Sequence, residues 1–304
     1  MKRALVLSGG GPVGIAWETG ILAGLEREGI DLGDADLIVG TSAGSVVGAQ
    51  RALGRTGEEL LRALVDAPPA ELPADRPGSG DPAAGGSPAP SGARPGGLAG
   101  LVEVMSRPRD PSHTAKQLRA EIGAFARVAQ TLAPAAFVRR LGESTGLLGQ
   151  PWPDRFLCTS VDTDDGSFVT WDRPSEVALE SAVAASCAVP GIFPPIEIRG
   201  RHYMDGGIRS VTSADLAKGH DLVVVLALVA GPLGALVHGP LAREREMLES
   251  GGTRVVVIVP DEANKQLIGV NFMDTGRSAV IAEAGAKQAQ HESGELRALW
   301  HGGH

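Results

Sequence analysis

Short apolar runs recur along the chain at positions that suit buried strands. Continuous runs rich in Val, Leu and Ile occupy residues 4–7, 37–39, 222–228 and 255–259. Runs of this length and type are typical of parallel strands that are covered on both faces. The hydrophobic pattern therefore predicts strands of a mostly parallel sheet.

Helical patterns follow the first two of these runs. Between residues 15 and 28 apolar positions recur every four residues, and Gly29 is placed as a C-terminal cap. Residues 44–53 are rich in Gly, Ala, Ser and Val, which lets a helix lie close against a sheet. This order predicts a βαβ unit, whose ligands bind at the carboxyl ends of the strands.

The middle of the chain continues the alternation of elements. The pattern predicts a helix over residues 116–128, a pair of strands over 156–161 and 167–171, and a helix from about 175 to 186. Three prolines in residues 188–195 forbid a helix and favour an extended connection. The overall prediction is an α/β fold.

One segment departs from this alternation. Between residues 67 and 100 the chain consists mainly of Pro, Gly, Ala and Ser, with few large apolar side chains. Such a composition buries too little apolar surface to offset the entropy of ordering. We therefore expect a single domain over residues 1–304, with a flexible insertion at about 67–100.

Composition and charge exclude several classes of function. A chain of 304 residues with a net charge of −8 lacks the basic excess that a nucleic-acid surface needs. The longest apolar run, residues 222–237, is too short to span a bilayer and is interrupted by Gly231 and Pro232. The N-terminus resembles a strand more than a signal peptide, so the sequence predicts a cytoplasmic protein.

Cysteine and histidine usage points away from metals and disulfides. The two cysteines, Cys158 and Cys187, have no C-x-x-C neighbour and build no disulfide framework. Neither a convincing set of His and Cys ligands nor an acidic calcium loop is visible. The sequence predicts no metal and no cofactor, and it makes no prediction of oligomeric state.

The first glycine cluster permits two interpretations. Gly9, Gly11 and Gly14 follow a strand, open a helix and satisfy the G-x-G-x-x-G fingerprint of dinucleotide-binding proteins, with Asp34 and Asp36 near the spacing of a ribose-binding acid. A nucleotide-binding oxidoreductase is therefore one alternative. Pro12 weakens it because proline removes a backbone donor from the loop.

A second cluster, Gly40-Thr-Ser-Ala-Gly44, lies one βα unit later, where a nucleotide site has no need of it. Acyl transfer requires a nucleophile on a sharp strand-to-helix turn and backbone amides aimed at the developing oxyanion. Ser42 is the candidate nucleophile, and Gly10 and Gly11 are candidate donors. The alternative is a plain turn between two elements.

A nucleophilic serine needs a base, and the histidines offer weak candidates. Of the seven, only His202 and His220 border apolar runs. Asp205 is a better candidate, because Gly206 and Gly207 let the backbone turn while the carboxylate points into a cleft. The competing interpretation of this motif is an Asp-Gly hairpin turn.

Taken in order, residues 9–14, 40–44 and 205–207 resemble the motifs of the patatin-like phospholipase family. The connector at residues 185–195 and the segment 213–217 resemble the family as well. The likeness is good over about residues 3–55 and 155–230 and weak elsewhere.

The resemblance implies a three-layer α/β/α fold with a mostly parallel central sheet and a Ser–Asp dyad that cleaves acyl esters. Ser42 would be the nucleophile and Asp205 the base. The other residues that it implies are the oxyanion hole, Gly9, Gly10 and Gly11, and the supporting glycines, Gly40, Gly44, Gly206 and Gly207. Many members carry Arg or Lys directly after the first glycines, whereas this chain has Pro12 and Val13.

The expected partner is a lipid or small ester, most specifically a phospholipid or lysophospholipid, with transient contact to a membrane surface. No nucleic acid is expected. A non-catalytic lipid-binding protein of the same fold is the remaining alternative.

Overall fold

The protein is described here by a computed structural model. It describes residues 1–66, 97–107, 112–231 and 233–302. Most of the insertion expected at 67–100 lies outside the described residues, and its last residues belong to a helix, Gly97–Ser106. The flexible insertion and the single domain therefore stay predictions.

Eight strands of the described chain form one sheet. They are β1 (Arg3–Leu7), β2 (Leu37–Gly40), β3 (Phe156–Asp162), β4 (Phe168–Trp171), β5 (Ile196–Ile198), β6 (Arg201–Asp205), β7 (Leu222–Leu226) and β8 (Arg254–Ile258). The order is β5-β6-β3-β2-β1-β7-β8, and β4 pairs with β3. Neighbours from β3 to β8 along this order are parallel, whereas β4, β5 and β6 pair antiparallel. The four apolar runs are strands, as predicted.

Ten α-helices accompany the sheet within the described ranges. They are α1 (Gly11–Arg27), α2 (Ala43–Ala52), α3 (Gly57–Asp66), α4 (Gly97–Ser106), α5 (Ala115–Val128), α6 (Pro134–Thr145), α7 (Leu179–Ser186), α8 (Leu233–Ser250), α9 (Glu262–Ile268) and α10 (Ser278–His301). The helix predicted from residue 175 begins later, because Glu176 adopts a left-handed conformation that ends a short 3-10 turn first.

The two faces of the sheet are covered by different helices. Successive side chains of a strand point to opposite faces. In β1, Leu5 and Leu7 enter a core shared with α1, α2 and α10, whereas Ala4 and Val6 enter a second core shared with α8. The fold is therefore the expected three-layer α/β/α arrangement.

Helix α10, which the pattern did not predict, lies directly against α1. A Cβ atom on Gly20 would stand 2.0 Å from the carbonyl oxygen of Ala282, and one on Gly24 would stand 2.4 Å from that of Ala286. Only glycine permits such an approach of two backbones. The contact fixes the position of α1, and therefore of the glycine loop at its N-terminus.

Candidate active site

The turn between β2 and α2 holds Ser42 in an unusual backbone conformation. Ser42 has φ 52° and ψ −117°, directly before the first residue of α2. A non-glycine residue at positive φ costs on the order of 1–3 kcal/mol and persists only where its surroundings enforce it. Such a strained strand-to-helix turn is the known setting of a nucleophilic serine.

Two glycines make this turn sterically feasible. A Cβ atom on Gly40 would lie 2.5 Å from the Cα atom of Ser45, and one on Gly44 would lie 2.1 Å from the carbonyl oxygen of Leu7. Helix α2 can therefore start against the ends of β1 and β2 only if both positions lack side chains.

The sheet register brings Asp205 to the same level as Ser42. Gly40 of β2 pairs with Cys158 of β3, and Ser160, two residues further on, pairs with Asp205 of the antiparallel β6. Ser42 likewise lies two residues beyond Gly40. The two side chains thus meet at the carboxyl ends of β2 and β3, although 163 positions separate them along the chain.

Asp205 is held by its backbone and by one carboxylate oxygen. Its N–H donates to the carbonyl oxygen of Ala188 at 3.0 Å, and its Oδ1 accepts from the N–H of Gly207 at 2.7 Å. A Cβ on Gly206 would stand 2.1 Å from Oγ1 of Thr159, so the chain crosses β3 closely here. Gly206 therefore permits the close approach of the chain to β3, and Gly207 donates a hydrogen bond to the carboxylate.

The second oxygen of Asp205 is buried and unsatisfied. Oδ2 has no hydrogen-bond partner among the described residues, and the residue is 4% exposed. Burial raises the pKa of Asp205 to about 7, and the neighbouring Ser42 hydroxyl and the N–H of Gly207 offset only part of that effect. The Ser42 hydroxyl therefore lies near the carboxylate but leaves Oδ2 without a hydrogen bond. A carboxylate with this pKa suits a base at neutral pH.

The backbone N–H groups of the glycine loop, residues 9–11, differ in whether they already donate a hydrogen bond. The N–H of Gly9 donates to the carbonyl oxygen of Val211 at 2.8 Å and is therefore engaged. The N–H groups of Gly10 and Gly11 donate to no group in the described chain. They lie at the N-terminus of α1, where the helix dipole favours negative charge.

Two side chains that hold the backbone of Ser42 were not predicted from the sequence. Ser186 Oγ accepts from the N–H of Ser42 at 3.0 Å, and the Cys187 thiol donates to the carbonyl oxygen of Ser42 at 3.2 Å. Burial raises the pKa of Cys187 to about 12, so it remains a thiol. Both lie in the connector at residues 185–195, whose small side chains carry no periodic signal that would assign them a role.

The histidines make no hydrogen bond to Ser42 or Asp205 within the described chain. Nδ1 of His220 contacts the carbonyl oxygen of Ala217 at 2.9 Å instead. His202 lies in β6 three residues before Asp205, and its carbonyl oxygen accepts from Thr163. The geometry therefore leaves Asp205 as the candidate base.

The geometry also disfavours a dinucleotide at the glycine loop. Asp36 precedes β2 and accepts from the N–H of Arg3 at 2.7 Å, which places it at the amino ends of the strands, opposite the loop. The carbonyl oxygen of Phe272 lies 2.7 Å from the position of a Cβ on Gly11 and covers one side of the loop. Asp34 also precedes β2, at the end of the 3-10 turn Leu32–Asp34, so neither acidic residue at this spacing lies beside the loop.

Two kinds of site are absent among the described residues. No group of three or more His, Cys, Asp or Glu side chains there could hold a metal ion. No helix there is long and apolar enough to cross a membrane.

The mostly parallel sheet with helices on both faces defines the class of protein as a three-layer α/β fold. The family model described as patatin-like phospholipase matches residues 5–218. The chain belongs to the patatin-like phospholipase family. Among curated proteins, none matches the chain significantly.

Solved structures of three proteins are similar to the chain at low identity. Human GIVD cytosolic phospholipase A2 has a TM-score of 0.47 and 11% identity, with 98% of this chain and 60% of that chain covered. VipD from Legionella pneumophila has a TM-score of 0.41 and 12% identity, with 96% of this chain and 67% of that chain covered. ExoU from Pseudomonas aeruginosa, in complex with SpcU, has a TM-score of 0.41 and 17% identity, with 98% of this chain and 52% of that chain covered. The chain thus spans about half to two thirds of their length.

Proposed function

We propose that the protein is a serine acyl hydrolase that cleaves carboxylic esters of phospholipids or lysophospholipids through Ser42 and Asp205. The observation that carries this proposal is the buried carboxylate of Asp205 beside a serine on a strained turn, with its Oδ2 unsatisfied. Membership of the patatin-like phospholipase family supports the lipid ester as substrate.

In the first half of the reaction, Ser42 Oγ attacks the ester carbonyl carbon and its proton passes to Oδ2 of Asp205. The carbonyl oxygen becomes an oxyanion, which accepts from the N–H groups of Gly10 and Gly11. The C–O bond to the alcohol then breaks, and Asp205 returns its proton to the departing alkoxide. An acyl ester of Ser42 remains.

Water resolves this acyl-enzyme in the second half. Asp205 takes a proton from the water, the hydroxyl adds to the acyl carbon, and the proton then returns to Ser42 Oγ as the fatty acid leaves. The site contains no cation after the first glycines, where the chain has Pro12 and Val13. The oxyanion would therefore depend on backbone donors and on the dipole of α1.

A pH profile tests the role of the base. Because ionised Asp205 is the active form, kcat/KM should rise with pH to a plateau, with a midpoint near the pKa of about 7. Ser42→Ala and Asp205→Asn should both abolish hydrolysis, and Asp34→Asn, at an exposed position, controls for the loss of one charge. Full activity of a folded Asp205→Asn variant would refute the dyad.

A substrate panel tests the chemistry of the ester. Diacyl phospholipids, lysophospholipids and short soluble esters would be compared at equal concentration, with Ser42→Ala as the blank. Hydrolysis of soluble esters alone would restrict the proposal to a general esterase. Because long-chain phospholipids reside in bilayers, we also expect transient contact with a vesicle surface during turnover, and the cytoplasmic location remains a prediction from the sequence.

A further inference from the structure

The segment after Asp205 reaches back to the glycine loop. The carbonyl oxygen of Val211 accepts the N–H of Gly9, and Cγ1 of Val211 lies 3.2 Å from the position that a Cβ on Gly9 would occupy. On the other side, that position is 3.3 Å from the Cβ atom of Ser42. Val211, Gly9 and Ser42 are therefore stacked in close order, and because a hydrogen bond joins Val211 to Gly9, a displacement of Val211 displaces the glycine loop.

A single carboxylate on α8 holds the residues on both sides of Val211. Glu244 accepts from Oγ of Ser210 at 2.6 Å through Oε1, and from Oγ1 of Thr212 at 2.6 Å and the N–H of Ala214 at 2.9 Å through Oε2. Glu244 is 8% exposed, and Thr212 is fully buried. Three donors thus converge on one buried side chain.

We propose that Glu244 is a positioning residue, which sets the donor geometry of the glycine loop by holding the segment that carries Val211. The inference rests on the proposed function, because it assigns Gly10 and Gly11 to the oxyanion. Glu244 does not touch the reacting atoms. It acts through Ser210 and Thr212, which fix Val211.

The chemistry of the three donors explains why a carboxylate suits this position. Two ionised oxygens accept all three hydrogen bonds, and bonds to a charged acceptor are stronger than neutral ones. Nη1 of Arg209 lies 3.8 Å from Oε1 and offsets part of the buried charge. In Glu244→Gln, one oxygen becomes an NH₂ group, which accepts no hydrogen bond in either orientation of the amide. It would lose the bonds from Thr212 and Ala214, or it would face Ser210 Oγ, which already accepts from two backbone N–H groups.

The effect on catalysis follows from the stack. Misplacing reacting groups by about 1 Å costs on the order of 10²-fold in rate. We therefore expect Glu244→Gln to lower kcat/KM about 10- to 100-fold through kcat, with KM within about twofold of wild type. The control is Glu246→Gln on the same helix, because Glu246 is exposed.

The experiment compares both variants with wild type on one soluble ester. Active sites are counted by complete labelling with a fluorophosphonate, so that kcat refers to intact sites alone. The second readout is the affinity for a trifluoromethyl ketone, whose adduct with Ser42 carries an oxyanion and mimics the transition state. A positioning role predicts that this affinity falls by the same factor as kcat/KM, whereas a purely structural role lowers the number of labelled sites.

Thr212→Val keeps the experiment decisive if Glu244→Gln does not fold. It removes one of the three bonds without changing the shape of the side chain, and it should lower kcat in the same direction by a smaller factor. Unchanged kcat per labelled site in a folded variant, or unchanged ketone affinity, would overturn the inference. Wild-type protein that neither cleaves the ester nor reacts with the fluorophosphonate would instead refute the proposed function on which it rests.

Discussion

We expect Asp205→Asn to be more stable than wild type, and increasingly so as the pH rises. Burial raises the pKa of Asp205 from 3.8 to about 7, so the folded protein prefers the neutral carboxyl group. Asparagine is close to isosteric with that neutral form, and its side-chain oxygen can still accept from the N–H of Gly207. The variant therefore removes the cost of burying a charge and keeps most contacts.

The magnitude follows from linkage between protonation and folding. Below pH 3.8 both states are neutral and the carboxylate has no cost. Between pH 3.8 and 7 the unfolded chain has lost the proton that the folded protein still holds, so wild-type stability falls as pH rises. At one pKa unit per 1.36 kcal/mol, the cost is about 1.5 kcal/mol at pH 5 and about 4 kcal/mol at pH 8.

Urea unfolding of both proteins, followed by circular dichroism at pH 5 and pH 8, measures this difference. The advantage of Asp205→Asn should grow by about 2.5 kcal/mol between the two pH values. Asp34→Asn controls for the change in net charge. An advantage that is equal at pH 5 and pH 8 would refute the reasoning, because it would mean that folding does not shift the pKa of Asp205.

Three further predictions concern the turn and its surroundings. The free energy of unfolding, measured in urea, should be about 1 kcal/mol larger for Ser42→Gly than for Ser42→Ala, because glycine tolerates positive φ. Equal free energies for the two variants would argue against backbone strain at this position. Gly44→Ala should abolish ester hydrolysis, because its Cβ would collide with a β1 carbonyl, whereas Gly294→Ala, which meets nothing within 4 Å, should raise the melting temperature slightly. His220→Ala should keep more than about a tenth of wild-type kcat in the same assay, because a lost general base typically costs about 10²–10⁴-fold; an inactive folded variant would favour a triad.

The strands of the parallel core were predictable because their surroundings demand one type of sequence. A strand covered on both faces must be apolar at every position, as in β7, Leu222–Leu226. Helix α10 has no such signature, since it packs through small residues such as Ala282 and Ala286. Its place depends on the shape of α1, which lies more than 250 positions away in the chain.

The motifs that hold the candidate site residues could be predicted from the sequence, whereas the residues that position those motifs could not. Ser42 and Asp205 stand beside glycines that the turns require, so the local sequence marks both positions, although their catalytic roles stay predictions. The engagement of the Gly9 N–H by Val211 depends on a contact across 202 positions, which no local pattern records. Glu244 is likewise an ordinary helical glutamate until the fold places three donors around it.

The central position of β1 also governs when the site can assemble during synthesis. β1 is made first, yet its neighbour β7 begins at Leu222, and the sheet stays open along that edge until then. At about 5–20 residues per second, this interval lasts roughly 10–45 s. During most of that time neither Val211 nor Asp205 has been made, so we expect the proposed Ser42–Asp205 site to stay incomplete until β7 pairs with β1.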